Sequence, residues 1–140
     1  MLQNEALSGP RRRLHLLAAD LSALGVSRHS QATLPLCPVT TLRDAAEALG
    51  SLYVMEGSTL GGRIIQRNIK RCLGEIGRAS CSYFNGYGAE TGSMWLSFLA
   101  ELDKAPAANI EQIGRGALAT FERLGWWLTM DRRSDLARPN

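Results

Sequence analysis

The 140-residue sequence has few of the side chains that metal and redox sites use. It has two histidines, His15 and His29, and three cysteines, and no pair of them has the spacing of a zinc site. An odd number of cysteines with no recognisable export signal predicts reduced thiols in a cytoplasmic protein, with the cysteines as core residues. These absences exclude a disulfide framework and argue against a structural zinc ion.

Long apolar runs and a strong charge excess are also lacking. No run reaches the roughly 18 apolar residues of a membrane-spanning helix. The net charge is a mild +3. Arg11–Arg13 has no aromatic interleaving, which favours a solvated helix start over a nucleic-acid site. We therefore expect one domain over residues 1–140, flexible at 1–10 and 131–140, with no membrane or nucleic-acid partner.

Helical periodicity dominates what the sequence does contain, and no stretch alternates as a strand does. Apolar residues recur at spacings of three and four in four segments. The predicted helices are Arg11–Leu24 with Gly25 as its C-cap, a segment from Thr41 (capped by Thr41, with Asp44 three residues on) to Leu73, Thr91–Leu102 with Thr91 as cap, and Ala107–Met130. Loops are predicted over 26–40 and 74–91. An all-α fold follows, because each helix has one apolar face to bury against another helix.

A glycine cluster, Gly57, Gly61 and Gly62, interrupts the second of these segments. Each interior glycine destabilises a helix by about 1 kcal/mol relative to alanine. Two interpretations stay open: two helices joined by a turn, or one helix kinked where its backbone approaches something large and flat. Without a GK[ST] ending or a preceding strand, the cluster is no phosphate loop. Gly57 and Gly61 share a face, which fits ligand contact and tight helix packing equally well.

Three other features are candidates for chemistry. Glu56 lies in an apolar run, and a buried carboxylate needs a partner, so we expect a buried hydrogen bond or an ion pair with Arg63. His15 lies off the leucine stripe of its helix, which favours an ordinary surface or half-buried histidine over a metal ligand. Trp126 and Trp127 are predicted to be core and helix-packing residues.

The run ALGSLYVMEGSTLGG at residues 48–62 resembles the distal helix of biliverdin-producing heme oxygenases, in particular the bacterial type found beside bacteriophytochromes. The segments YFNGYG at 83–88 and TGSMW at 91–95 are also similar to that group, as is the last helix from Phe121 to Trp127. The resemblance covers residues 11–128. It implies a heme-oxygenase-like helical bundle with a glycine-kinked distal helix.

This resemblance implies an activity and a set of site residues. Heme oxygenases open the heme ring to biliverdin, carbon monoxide and ferrous iron, using dioxygen and electrons from an external redox partner. By resemblance, Gly57, Gly61 and Gly62 form the distal wall against heme. Ser58 stands where many relatives have an aspartate that orders distal water, so Gly57, Ser58 and Gly61 are the catalytic candidates. Phe121 is expected on the heme side of the last helix.

The sequence departs from the family pattern at the iron ligand. In the family a histidine on the first helix binds iron, far upstream of the glycine motif, whereas only 56 residues precede Gly57 here. His15 lies in a stretch that matches a later helix, which makes it a weak candidate. We therefore expect the chain to lack the family's first helices.

Two hypotheses follow from this departure. The chain is a heme oxygenase whose iron ligand comes from further sequence, from a rearranged His15 or from another chain. Alternatively, it is a non-catalytic heme-oxygenase-like module that binds tetrapyrrole weakly or not at all and forms a homodimer through an exposed apolar face.

Overall fold

The structure is a computed structural model that describes residues 5–130. In that range the chain is built from α-helices and short 3-10 turns, without a strand, which confirms the all-α prediction. The helices are α1 (Glu5–Ser8), α2 (Leu14–Ala23), α3 (Arg28–Ala32), α4 (Ala45–Ala79), α5 (Thr91–Leu102) and α6 (Ile110–Thr129). The 3-10 turns are Gly9–Arg11, Tyr83–Asn85, Gly88–Glu90 and Ala107–Asn109.

The expected flexibility of residues 1–10 and 131–140 stays a prediction. Residues 5–11 form helical turns, and residues 1–4 and 131–140 lie outside the described range. Between residues 5 and 130, no helix has both the length and the apolar character to cross a membrane.

Helix α2 ends at the predicted glycine. Gly25 has a φ of +82°, a conformation that side chains with a Cβ rarely adopt. The Val26 N–H donates to the Leu21 carbonyl at 2.9 Å and the Gly25 N–H to the Ser22 carbonyl at 3.0 Å. This is a Schellman motif, which satisfies the last carbonyls of the helix.

The loop predicted over 26–40 contains a helix, so that prediction is wrong for residues 28–32. Ser27 accepts a hydrogen bond from the Ser30 N–H at 3.1 Å and caps α3. The side chain of Gln31 then donates to the Val26 carbonyl at 2.9 Å, which ties the short helix to the end of α2. Pro35 and Pro38 lie beyond it in irregular chain, as expected.

Helix α4 begins at Ala45, and its cap is Asp44 rather than the predicted Thr41. The Asp44 carboxylate accepts from the Glu47 N–H at 2.8 Å. The Glu47 carboxylate in turn accepts from the backbone N–H and the Nε of Arg43, both at 2.8 Å. This reciprocal arrangement is a variant of the capping box. The Arg43 hydrogen bonds lower the pKa of Glu47 to about 2.

The same helix continues through the glycine cluster as one helix. Helical dihedral angles persist from Gly57 to Gly62, so the interpretation of two helices joined there is wrong. The break in helical geometry lies instead at Gly74, with φ +56° and ψ −128°. Beyond it, a Cβ on Gly77 would lie 2.6 Å from the Ile69 carbonyl oxygen, so the last turn folds back tightly onto the preceding one.

Helices α4 and α6 form the main packing contact through two glycines that sequence reasoning missed. A Cβ on Gly50 would overlap the backbone carbonyl of Ile113, and a Cβ on Gly116 would overlap the carbonyl of Glu47. Only glycine allows the two backbones to approach this closely. This crossing fixes how α6 faces the glycine cluster of α4.

The 83–91 segment and α5 complete the core. Thr91, predicted as a cap, is the first residue of α5, and its hydroxyl donates to the Gly88 carbonyl at 2.9 Å. Phe98 and Cys81 are buried, whereas Cys72 is exposed and Cys37 half-buried, so the expected burial of cysteines holds for one of three. Trp126 is half exposed, contrary to its predicted core position.

Candidate functional site

An apolar groove of about 590 Å³ lies between α4, α5 and α6. This volume is within the range of small-molecule sites, about 300–1,000 Å³. Its lining residues are Tyr53, Val54, Gly57, Ser58, Leu60, Trp95, Phe121, Leu124, Gly125 and Leu128. The groove thus brings together three of the predicted site residues, Gly57, Ser58 and Phe121.

The glycine cluster divides into two parts with different environments. A Cβ on Gly62 would overlap the Phe84 carbonyl, so Gly62 is needed where the 83–85 turn packs on α4. A Cβ on Gly57 would make only an ordinary 3.8 Å contact with the Trp95 ring, and one on Gly61 would meet no described atom within 4 Å. Packing within residues 5–130 therefore requires Gly62 but neither Gly57 nor Gly61. Gly57 lines the groove, and Gly61 and Gly62 do not.

Ser58 contributes a hydroxyl to a wall that is otherwise mostly apolar. Its Oγ donates to the Met55 carbonyl at 2.7 Å, one turn back in α4. The hydroxyl proton is therefore used inside the helix. The remaining lone pairs of the oxygen leave Ser58 as a hydrogen-bond acceptor.

Aromatic side chains form the wall opposite α6. The ring centroids of Tyr53 and Trp95 are 5.4 Å apart, and those of Trp95 and Phe98 are 5.8 Å apart. Such distances are typical of favourable aromatic pairs. On the α6 side, Phe121 and Leu128 line the groove with exposed fractions of 69% and 79%. One wall is thus fixed by packing, while the other presents unpartnered apolar side chains.

A buried charge cluster supports the turn of α4 that carries Gly57. Glu56 is 2% exposed; its Oε1 accepts from the Tyr87 hydroxyl at 2.7 Å, and its Oε2 lies 3.3 Å from the Arg11 Nε. Burial, followed by the hydrogen bond to Glu56, raises the pKa of Tyr87. The expected buried hydrogen bond of Glu56 is present, but its ion-pair partner is Arg11 and not Arg63.

The arginines of the N-terminal segment are not solvated as predicted. Arg13 is buried, and its Nη2 donates to the Met55 carbonyl at 3.3 Å. Its guanidinium also lies over the rings of Tyr83 and Tyr87, at 5.2 and 5.4 Å from their centroids. Of the three arginines only Arg12 is exposed. No pattern in the sequence indicates this burial, because the partners are far apart in the chain.

The turn that carries Tyr83 is itself anchored to α2. Both carboxylate oxygens of the buried Asp20 accept backbone N–H groups, from Ser82 and Tyr83, at 2.8 Å each. Hydrogen bonds to a carboxylate are stronger than those between neutral groups. Residues 11–20 and the 82–87 turn thus hold α4 on a side that does not line the groove.

Neither histidine reaches the groove. His15 on α2 and His29 on α3 are exposed and are not among the lining residues. Within residues 5–130 no group of three His, Cys, Asp or Glu side chains is placed to hold a metal ion. Tyr53 is the one groove-lining side chain in this range of a type that ligates heme iron in proteins.

The fold and the groove define a class: a helical protein with a glycine-lined apolar site against its longest helix. The chain is 32% identical over 126 residues to a heme oxygenase from Xanthomonas campestris pv. campestris (strain 8004). The match covers 88% of this chain and 71% of that protein. The chain belongs to the heme oxygenase family. Comparison with protein-family models gives no match, and comparison with solved structures gives none either.

Proposed function

We propose that the groove binds heme and that the protein acts in the oxidative opening of heme to biliverdin, carbon monoxide and ferrous iron. The observation that carries the proposal is the position of Gly57. It lines the groove on α4, and packing among the described residues does not require a glycine there. Glycine destabilises a helix, and packing does not require it at this position. A ligand that lies against the bare backbone would explain why a glycine stands here.

The groove suits the porphyrin in shape and chemistry. It is mostly apolar, and a Cβ on Gly57 would lie 3.8 Å from the ring of Trp95, which also lines it. Heme supplies the iron that activates dioxygen and the ring that is oxidised. The protein's residues bind the apolar faces of that ring, keep bulk water away from them and present one acceptor at Ser58.

Each predicted site residue has a distinct proposed role. Gly57 lets the α4 backbone lie close to the ligand; Gly61 does not line the groove, and its part in the distal wall rests on the family resemblance alone. Gly62 keeps α4 against the 83–85 turn, and so holds that wall in place. Ser58 accepts a hydrogen bond from distal water, the role that the family resemblance suggests. Phe121 covers the ligand from α6.

The iron ligand is the part of the site that the described residues do not provide. His15 remains the weak candidate named above, since it is exposed and lies outside the groove. Residues 1–4 and 131–140 contain no histidine either, so we propose that another chain supplies the ligand. Dioxygen and an external electron donor are the co-reactants, and the resemblance favours a cytoplasmic enzyme of the bacterial type found beside bacteriophytochromes.

One observation favours a second function. The groove has no histidine among its described lining residues, while Phe121 and Leu128 expose large apolar surfaces on its rim. Exposed apolar patches of this kind are typical of interaction sites. A module without catalysis, which binds tetrapyrrole weakly and dimerises through this face, also fits.

Heme titration of the purified 140-residue chain tests the proposal. We expect saturable heme binding at one heme per chain. Replacement of the heme absorbance by that of biliverdin, after addition of a reductant in air, is expected only if this chain, alone or as a homodimer, supplies the iron ligand. The variant Gly57→Leu fills the groove and should weaken heme binding at least tenfold. Gly114→Leu is the matched control, because position 114 is on the exposed side of α6 with open space around a Cβ.

The outcomes separate the two functions. A broad, non-saturating absorbance, unchanged by Gly57→Leu, would rule out heme binding in this groove. A saturable band without conversion to biliverdin would favour the binding module. The variant His15→Ala decides the remaining question, since loss of the Soret band in this variant alone would identify His15 as the iron ligand.

A further inference from the structure

The last part of α4 is a basic amphipathic helix with most of its surface exposed. Residues 63–78 contain five cations and one acid, so their net charge of +4 exceeds the +3 of the whole chain. The side that faces the rest of the protein follows Gly62, Gln66 and Ile69, which are three or four residues apart and buried or half-buried. Gln66 donates to the Cys81 carbonyl at 3.3 Å. We call residues 63–78 the amphipathic segment.

Four cations share one side of this segment and have no partner among residues 5–130. They are Arg63, Arg67, Lys70 and Arg71, three or four residues apart. No described ion pair, side-chain hydrogen bond or ring contact involves any of them. The acid of the segment, Glu75, pairs with Arg78 at 3.3 Å. The four cations are therefore available to an external anion.

Large apolar side chains of the same segment are exposed as well. The exposed fractions are 63% for Ile64, 45% for Ile65, 52% for Leu73 and 62% for Ile76. Ile65 and Leu73 lie on the apolar side with Ile69, at spacings of four, and Ile64 lies beside the cations. A cluster of exposed aliphatic side chains is typical of an interaction surface.

We propose that the amphipathic segment binds an anionic lipid surface. A helix with cations on one side and aliphatic side chains on the other lies in the plane of such a surface, with the apolar side chains among the acyl chains. The long side chains of arginine and lysine reach the phosphates from positions beside the apolar side. The expectation of no membrane partner was based on the lack of a spanning run, and a helix that lies flat needs none. The inference goes beyond the proposed function, because it does not depend on the ligand of the groove.

Three other occupants account for less of the segment. A nucleic acid would pair with the cations, but residues 63–82 contain no aromatic side chain for stacking, and the isoleucines would stay exposed. A second copy of this chain, placed symmetrically, would cover the isoleucines but would bring four cations against four cations. An acidic protein would need an apolar patch of matching shape. A lipid surface supplies anionic phosphates and apolar chains together.

Vesicle binding by the full 140-residue chain, without added heme, tests the proposal. Vesicles of equal parts phosphatidylcholine and phosphatidylglycerol are compared with pure phosphatidylcholine by sedimentation. We expect binding to the anionic vesicles alone. It should weaken at least tenfold when the ionic strength rises from about 0.01 to 0.1 M, because the Debye length falls from about 30 to 10 Å.

A fluorescent probe shows whether the helix inserts. Cys72 is exposed and lies on the apolar side, three residues after Ile69. A nitrobenzoxadiazole group attached to Cys72, in the variant Cys37→Ser, should shift its emission to shorter wavelength when anionic vesicles are added. The same group on Cys37, in the variant Cys72→Ser, is the matched control and should not shift. Cys81 is buried and is not expected to react.

Removal of charge locates the electrostatic part of the surface. Arg67→Gln with Arg71→Gln should weaken vesicle binding at least tenfold, because each cation near an anionic membrane contributes about fivefold to the binding constant. Arg12→Gln with Arg28→Gln is the matched control, since both residues are exposed and without a described ion pair, and the net charge changes by the same amount. This pair should change binding less than about threefold.

Removal of apolar side chains locates the inserted part. Ile64→Ser with Ile76→Ser should weaken vesicle binding at least tenfold. Leu36→Ser with Val39→Ser is the matched control, because these two side chains are even more exposed but lie outside the segment. Circular dichroism shows whether each variant keeps its helix content. The Cys72 probe leaves the rest of the segment unchanged, so it tests insertion even where a variant fails to fold.

Each outcome bears on the proposal. Absence of binding, equal binding to neutral vesicles, or equal effects of the segment and control pairs would overturn it. Binding that ignores the isoleucine pair and leaves the Cys72 probe unshifted would overturn insertion of the helix. A dimer in lipid-free solution that Ile64→Ser with Ile76→Ser dissociates would overturn it in favour of a second copy. Tighter binding to a short DNA duplex or to polyglutamate at the same salt would overturn it in favour of that partner.

Discussion

The substitution Gly116→Ala tests the closest contact in the fold. A Cβ at this position would overlap the backbone carbonyl of Glu47, and a backbone atom cannot turn away as a side chain can. Overpacking in a core costs about 1–3 kcal/mol, and we place this site at the upper end. Alanine in place of glycine recovers about 1 kcal/mol of helix propensity. The net expectation is a loss of about 2 kcal/mol.

The control is the same substitution in the same helix. A Cβ on Gly114 meets nothing within 4 Å, so Gly114→Ala should stabilise the protein by up to about 1 kcal/mol. Urea denaturation followed by circular dichroism measures both variants. The two changes in the free energy of unfolding should have opposite signs. If Gly116→Ala is as stable as Gly114→Ala, the close approach of α4 and α6 through glycine is refuted.

Four further substitutions test single sites. Glu56→Gln leaves Arg11 buried without its charge partner and should lower the free energy of unfolding by about 3–5 kcal/mol. Tyr87→Phe removes one hydrogen bond to the Glu56 carboxylate and should lower the free energy of unfolding by about 2 kcal/mol. A lower urea midpoint for Tyr87→Phe than for Glu56→Gln would contradict the proposed charge cluster. Because the folded pKa of Glu47, about 2, is below its ordinary value of 4.5, its contribution to stability is complete above pH 4.5 and is lost as the pH falls towards 2. Denaturation midpoints of Glu47→Gln should therefore vary less than those of the wild type between pH 5 and 2, and parallel curves would speak against the Arg43 contact. Gly74→Ala forces a side chain to φ +56° and should cost about 1–2 kcal/mol, whereas an unchanged melting temperature would argue against the break in α4 at this residue.

Local sequence patterns were reliable where the physical cause is local. The apolar periodicity of α5 and α6 predicted helices that the structure confirms, because spacing along the chain alone decides which side chains share a face. Gly25 was also correctly predicted to end α2, because this helix end needs a positive φ that glycine adopts without steric cost. Caps were less certain: Asp44 and not Thr41 begins α4, since several polar residues in a row compete to accept the first free N–H groups.

Identifying the residues that line the groove required both local sequence patterns and contacts between residues far apart in the chain. Gly57 and Ser58 were found from a motif within one helix, and the structure places them on the groove. Phe121 was found through the family resemblance, and its place opposite Gly57 depends on the crossing of α4 and α6. That crossing depends on Gly50 and Gly116, which look unremarkable in the sequence, because a missing Cβ matters only when another backbone lies against it.

By itself, the sequence determined the helical class, the order of the main helices and the glycine motif that indicates the heme oxygenase family. Only the tertiary structure decided which charges are paired. Arg11 and Glu56 are 45 residues apart, and nothing in their neighbourhoods in the chain selects one for the other. The same holds for Arg13. Its place in a run of three arginines predicted solvent exposure, whereas the structure buries it. Periodicity fixes the face on which a side chain lies, whereas burial and ion pairing depend on the element that packs on that face.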